Sequence, residues 1–146
     1  MKATKKYRST KRIEIGSAAF RQWRSTHSHC QYVHGYNLTC QLVFEADTLD
    51  IRNWVADFGG FKEIKSMLQA KFDHKLVVAA DDPLLDTFKL LEQQGGCELT
   101  IMDAVGCEKF AEYSFKLVDE KISTDRIRLI SVEIFEHDGN SAIYTV

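Results

Sequence analysis

Eleven residues, Thr26-His27-Ser28-His29-Cys30-Gln31-Tyr32-Val33-His34-Gly35-Tyr36, hold three of the chain's five histidines and one of its four cysteines. Imidazole is the commonest zinc donor and catalytic zinc usually takes three protein ligands, so His27, His29 and His34 are candidate metal ligands. His27 and His29 stand two apart, which in an extended segment sends both rings off one face. Cys30 adds a candidate nucleophile to these ligands. From Tyr36 to Phe44 apolar and polar residues alternate, and His34 and Tyr36 share the parity of Leu38, Cys40, Leu42 and Phe44. His34 therefore points inward, either as a hydrogen-bonded core residue or as a ligand.

The elements that must position this stretch are legible on both sides of it. Arg12 to Phe20 alternates weakly and reads as a first strand, and Val33 to Glu45 reads as a clearer second one, together a long hairpin. After a polar turn from Asp47 to Asn53, the spacing of Phe61, Ile64, Leu68 and Phe72 predicts an amphipathic helix ending near Asp73-His74. Asp81-Asp82 before Pro83, the only proline, can cap a second helix through Leu84, Leu85, Phe88, Leu90 and Leu91 that stops at Gly95-Gly96. Cys97 to Met102 reads as a short strand, and Gly106 to about Lys121 as a third helix with Phe110, Ser114, Leu117 and Val118 on one stripe. Arg126–Phe135 and Ser141–Val146 are β-rich and flank Asp138-Gly139, a strong hairpin signal. The order strand-strand-helices-strand-strand is an α+β arrangement, with no βαβ crossover and no glycine-rich phosphate loop expected.

Composition narrows the partners. At 146 residues, 45% hydrophobic and 27% charged, the chain is sized for a single domain, 1–146. A net charge of -2 gives no bulk reason to expect nucleic acid, although Lys2, Lys5, Lys6, Arg8, Lys11 and Arg12 make the N-terminus locally basic. The cysteines Cys30, Cys40, Cys97 and Cys107 follow no CxxC spacing, and no apolar run is long enough to cross a bilayer. A soluble protein of the reducing cytoplasm is expected.

Four separated segments resemble one family. Cys30-Gln31-Tyr32-Val33-His34-Gly35 resembles the C-x-x-x-H-G-H signature of the 6-pyruvoyl-tetrahydropterin and 6-carboxytetrahydropterin synthases. Trp54-Val55-Ala56-Asp57-Phe58 with Lys62 is similar to their V-x-D-F-x-x-L-K segment, and Phe72-Asp73-His74 to their L-D-H. The run from Val132 through Glu136 to Tyr144 resembles their terminal hairpin, and Glu108 matches the glutamate of their P-T-S-E turn, where Cys107 departs from it.

The resemblance implies a tunnelling fold (T-fold): a four-stranded antiparallel sheet with helices on one face, closing between copies into a barrel, as a trimer or a hexamer, with sites between subunits. It implies a lyase acting on dihydroneopterin triphosphate. The expected product is 6-carboxytetrahydropterin, a precursor of queuosine and other deazapurines, formed with release of triphosphate and acetaldehyde. The alternatives are 6-pyruvoyl-tetrahydropterin synthase and a non-catalytic, oligomeric pterin- or purine-binding protein. Carried onto this sequence, Cys30 is the base or acid with Asp73 and His74 as relay partners, and Glu136 holds the pterin ring, with Glu108 beside it. Arg21, Arg24 and the basic N-terminus are candidates for the triphosphate.

The implied cofactor is zinc, held in the family by a histidine ending the first strand and by both histidines of H-G-H. Phe20 stands at the first of these positions and Tyr36 at the third, leaving His34. A site relocated onto His27 and His29 with His34 is the expectation that keeps three imidazoles. The segment from Asp82 to Met102 is an insertion relative to the family pattern and carries no assigned role.

Overall fold

The computed structural model describes residues 4–146; Lys2 of the basic N-terminus lies outside them. Six strands and three helices follow one another as β1 (Tyr7–Phe20), β2 (His34–Ala46), α1 (Lys62–Phe72), β3 (Lys75–Ala79), α2 (Leu85–Gln93), β4 (Leu99–Met102), α3 (Cys107–Ile122), β5 (Arg128–His137) and β6 (Asn140–Thr145). The strands form one sheet in the order β4-β3-β1-β2-β5-β6. β1, β2, β5 and β6 are joined antiparallel, as the two hairpins predict. Asp138-Gly139 makes the tight turn between His137 and Asn140.

Two expectations are corrected. The sheet has six strands and is mixed, because β3 joins β1 in parallel and β4 joins β3 in parallel, so β3-α2-β4 is a βαβ crossover. The helices are not confined to one face. Val77 and Ala79 of β3 belong to the main core, whereas Leu76 and Val78 pack with Phe88 of α2 in a separate cluster. Successive strand residues point to opposite faces, so α2 covers the side of the sheet away from the main core.

The main core lies between the sheet and the helices α1 and α3. β2 contributes Leu38, Cys40, Leu42 and Phe44, all fully buried, which is the alternation read in the sequence. Ile64, Leu68 and Phe72 of α1 and Phe110, Ala111, Phe115 and Val118 of α3 close over them. The rings of Phe72 and Phe110 meet at 5.0 Å. Burying a phenylalanine of this kind is worth about 2–3 kcal/mol, so these rings fix where α3 begins.

β1 is bent by a bulge between Glu14 and Gly16. Its buried residues change parity there, from Ile13 before the bulge and Ile15 within it to Ala18 and Phe20 after it. Gly16 has φ +102, and a Cβ on it would come within 2.1 Å of Asp73 Oδ1, so only glycine fits. The same Asp73 oxygen accepts the Ser17 N–H at 2.9 Å and the His74 Nδ1–H at 2.9 Å. One carboxylate thus ties the end of α1 to the bulge.

Candidate functional site

The Cys30 loop is a compact turn built from local hydrogen bonds. Ser28 caps a short 3₁₀ turn, His29–Gln31, by accepting the Cys30 N–H, and Gln22 N–H closes the loop onto Cys30 O at 2.8 Å. From below, Arg21 donates to both oxygens of Asp82 at 2.9 and 2.6 Å and also to Gln31 O at 3.1 Å. Trp23 and Arg24 donate to Asp81 at 3.2 and 3.0 Å. The turn between β3 and α2 is therefore the platform for this loop, a role for the start of the inserted segment that its sequence did not reveal. Both guanidiniums proposed for the triphosphate are committed to these aspartates, and Arg24 also lies over the Trp23 ring at 4.1 Å.

Cys30 is exposed, and it lines an open cleft of about 390 Å³ with His29, Tyr32, His34 and Tyr36. His34 Nδ1 is 2.6 Å from Tyr32 O. A carbonyl can only accept, so Nδ1 carries the proton and the neutral ring keeps its lone pair on Nε2. His34 lies opposite Phe20 across the β1-β2 ladder. The rings of Phe20, His34 and Tyr36 form a cluster, with centroids 5.6, 5.9 and 5.2 Å apart.

A second cleft, of about 460 Å³, is lined by Cys107, Glu108 and Glu136 together with Gly139 of the β5-β6 turn and the start of β6 from Asn140 to Ala142. Cys107 opens α3, is buried, and donates its S–H to Glu136 Oε1 at 3.4 Å. Burial first, and then the neighbouring Glu136 carboxylate, push the Cys107 thiol well above its ordinary range, so it stays a donor. The resemblance named Glu136 for the ring and Glu108 as a further substrate-binding residue, and both line this cleft. The sequence had no role for Cys107, because the contact joins residues 29 apart.

Tyr36 lines the first cleft. Burial raises the pKa of its phenol, and the Glu136 carboxylate raises it further, acting through space. Its ring also lies 6.2 Å from that of His137, at the end of β5.

The other expected residues are placed differently. Asp73 and His74 hydrogen-bond to Ser17 and to each other, and among the described residues no hydrogen bond joins them to Cys30. His74 has φ +59 and a largely exposed ring. His27 and His29 are exposed, and the His29 ring leans edge-on toward Tyr32. Among the described residues no group of three His, Cys, Asp or Glu side chains is placed to hold a metal ion. Asp57, from the V-x-D-F-like segment, caps the 3₁₀ turn Phe58–Phe61 through Gly59 N–H at 2.9 Å, a structural use.

The zinc implied by the resemblance does not fit this donor set. The relocated site of His27, His29 and His34 is not assembled, and the three family positions present a phenyl, an imidazole and a phenol.

Comparison with known proteins agrees with the architecture. The structure is similar to that of an uncharacterized protein from Wolinella succinogenes, with a TM-score of 0.82 at 18% identity over 96% of this chain and 98% of that one. It is also similar to 6-pyruvoyl tetrahydropterin synthase from Caenorhabditis elegans, with a TM-score of 0.69 at 19% identity over 100% and 99% of the chains. The enzyme of that name from Plasmodium vivax aligns with a TM-score of 0.65 at 12% identity, over 96% and 99%. No curated protein matches the sequence. No helix among the described residues is long and apolar enough to cross a membrane. The model of the 6-pyruvoyl tetrahydropterin synthase family matches residues 10–146, and the chain belongs to that family.

Proposed function

We propose that the protein is a pterin lyase that takes dihydroneopterin triphosphate to 6-carboxytetrahydropterin, a precursor of queuosine and other deazapurines. One observation carries this reading: the structure has one cleft lined by an exposed thiol with His34 and Tyr36, and another lined by two carboxylates with Cys107. Glu136 accepts hydrogen bonds from the amino group and ring N–H of the pterin, a bidentate geometry that suits a carboxylate. The Cys107 S–H holds one of its oxygens, leaving the other free to turn toward the ring. With the ring anchored there, its side chain extends past Tyr36 to Cys30. The thiolate of Cys30 removes a proton from a side-chain carbon, and the triphosphate leaves as its C–O bond breaks.

Asp73 and His74 enter this scheme from a second copy of the chain. Their hydrogen bonds keep them at the β1 bulge of their own chain. The outer strands β4 and β6 leave both sheet edges open for copies to join. A homo-oligomer, trimeric or hexameric, with sites between subunits is the corresponding assembly.

The decisive measurement is triphosphate release from dihydroneopterin triphosphate by wild type, Cys30→Ala and Glu136→Gln. Release that depends on both residues supports the lyase, and acetaldehyde among the products selects 6-carboxytetrahydropterin over 6-pyruvoyl-tetrahydropterin. The presence of Phe20 and Tyr36 at two metal positions favours a second reading, an oligomeric pterin- or purine-binding protein without catalysis. Tight pterin binding with no release of triphosphate selects it.

A further inference from the structure

The positions at which the family resemblance places zinc do converge in this chain, but they converge as rings. Phe20 and His34 are cross-strand partners, and Tyr36 follows on the same face of β2. A phenyl has no lone pair to give, and His34 offers one nitrogen, Nε2, because Nδ1 is spent on the Tyr32 carbonyl. Catalytic zinc takes three protein ligands. Phe20 cannot move aside to admit a substitute, being buried edge-on against Phe110 at 5.1 Å. What these three positions do present toward the Cys30 cleft is one hydroxyl and one imidazole acceptor beside a thiol.

We propose that Tyr36 and His34 hold the oxygens of the ligand's side chain in place of a metal ion, and that the protein works without zinc. The pair is complementary to two neighbouring side-chain oxygens, both hydroxyls in dihydroneopterin and a carbonyl next to a hydroxyl once the C–H pair of the first side-chain carbon has shifted into the ring C=N bond: the Tyr36 O–H donates to the oxygen nearer the ring, and His34 Nε2 accepts the neighbouring hydroxyl. When the Cys30 thiolate takes a proton from the carbon beside that carbonyl, the C–H electron pair becomes the C=C bond of an enolate. The carbonyl π pair moves onto oxygen, where the Tyr36 O–H hydrogen-bonds to it and keeps its own proton. The enolate then re-forms the carbonyl as the triphosphate leaves the next carbon with its C–O electron pair, and the Cys30 S–H protonates the end carbon of the enol so formed while the enol's hydroxyl proton passes to His34 Nε2, so no oxidant or metal enters the step. A single positioned donor of this kind is typically worth about 100-fold in rate.

This inference rests on the pterin reading for the identity of the ligand, and its test is arranged to separate the two. Full-length wild type and the double variant Phe20→His/Tyr36→His are incubated with zinc, dialysed and assayed for bound metal. Binding of 7,8-dihydroneopterin is then measured with and without a chelator, in wild type and in Tyr36→Phe. The expected result is no stoichiometric zinc in wild type and about one zinc per chain in the double variant, where three imidazoles meet. Wild-type dihydroneopterin affinity is expected to ignore the chelator and to fall about tenfold in Tyr36→Phe, the loss of one hydrogen bond. Wild type carrying about one zinc per chain that is lost in His34→Ala overturns the inference while leaving the pterin reading intact. So does dihydroneopterin binding that the chelator abolishes. A folded double variant that takes no zinc shows that the three positions do not converge, and also overturns it. If the double variant does not fold, the wild-type zinc content decides. Dihydroneopterin binding to none of these proteins overturns the pterin reading, and with it the roles given to Tyr36 and His34.

Discussion

Arg21 grips both carboxylate oxygens of Asp82, across 61 residues of sequence, and with a third hydrogen bond holds the backbone of the loop that carries Cys30. Asp82 is almost wholly buried and Arg21 mostly so, which makes this a desolvated pair. Truncating one partner of such a pair strands the other charge. Asp82→Ala should therefore lower stability by about 3 kcal/mol in urea unfolding. It should also loosen the loop, seen as faster alkylation of Cys30 in the native protein. An alkylation rate equal to that of wild type would show that the loop is braced by something else.

Thiol chemistry should separate the four cysteines. Cys30 is exposed, whereas Cys40 and Cys107 are buried, and burial pushes the Cys40 thiol up to about 12. Only the thiolate attacks an alkylating reagent. Intact-mass analysis after brief maleimide treatment at neutral pH should show one fast adduct that peptide mapping places on Cys30. Fast labelling of Cys107 would mean that the start of α3 opens in solution.

Cys107 should act through Glu136. Cys107→Ser keeps a hydrogen donor at the start of α3, and Cys107→Val removes it at similar volume. The serine variant is expected to bind dihydroneopterin much as wild type does. The valine variant should bind about tenfold more weakly, the worth of one hydrogen bond that orients a carboxylate. Equal affinities would leave the thiol contact without a role in binding.

Acid should act first at the other end of the long hairpin. Glu45 is buried in the sheet, and hydrogen bonds from Arg128 and Arg8, with help from Lys6, outweigh burial and lower its carboxyl from 4.5 to about 2. A carboxyl depressed on folding stabilises above its unfolded pKa, and that stability is lost as pH falls toward the folded value. The loss should therefore run between pH 4.5 and about 2. Glu45→Gln should flatten this limb of the stability curve while lowering stability at neutral pH, as followed by thermal melts across the range. Asp82 adds to the same limb, because the hydrogen bonds from Arg21 and Leu84 N–H overcome the effect of burial and hold its carboxyl low.

Much of the scaffold could be read from the chain because β2, β5, α1 and α3 each bury one face, so their apolar residues keep a period of two or of three to four. β3 escaped because Leu76-Val77-Val78-Ala79 is buried on both sides, and a continuous apolar run carries no period. The first residues of β1, Tyr7 to Lys11, are polar and are strand only because β2 pairs with them. At the site, Cys30 stood out by its place among the histidines, whereas Glu136 and Glu108 came forward only through the family resemblance. The Arg21–Asp82 clamp and the Cys107–Glu136 contact could not, since each joins distant segments that meet only in the finished fold. The three histidines are not grouped in this structure for a local reason: the turn His29–Gln31 breaks the extended geometry that would align His27 and His29 with His34.

The extra residue at the β1 bulge reaches further than its own neighbourhood. A strand presents every second side chain to the same side, so a single added position reverses the sequence of inward and outward residues for the remainder of its length. Without it, Ala19 in place of Phe20 would look toward His34 and Tyr36, and the aromatic trio would lose its wall. A glycine and an aspartate at the far end of α1 thus select, from several residues away, which side chain greets the ligand.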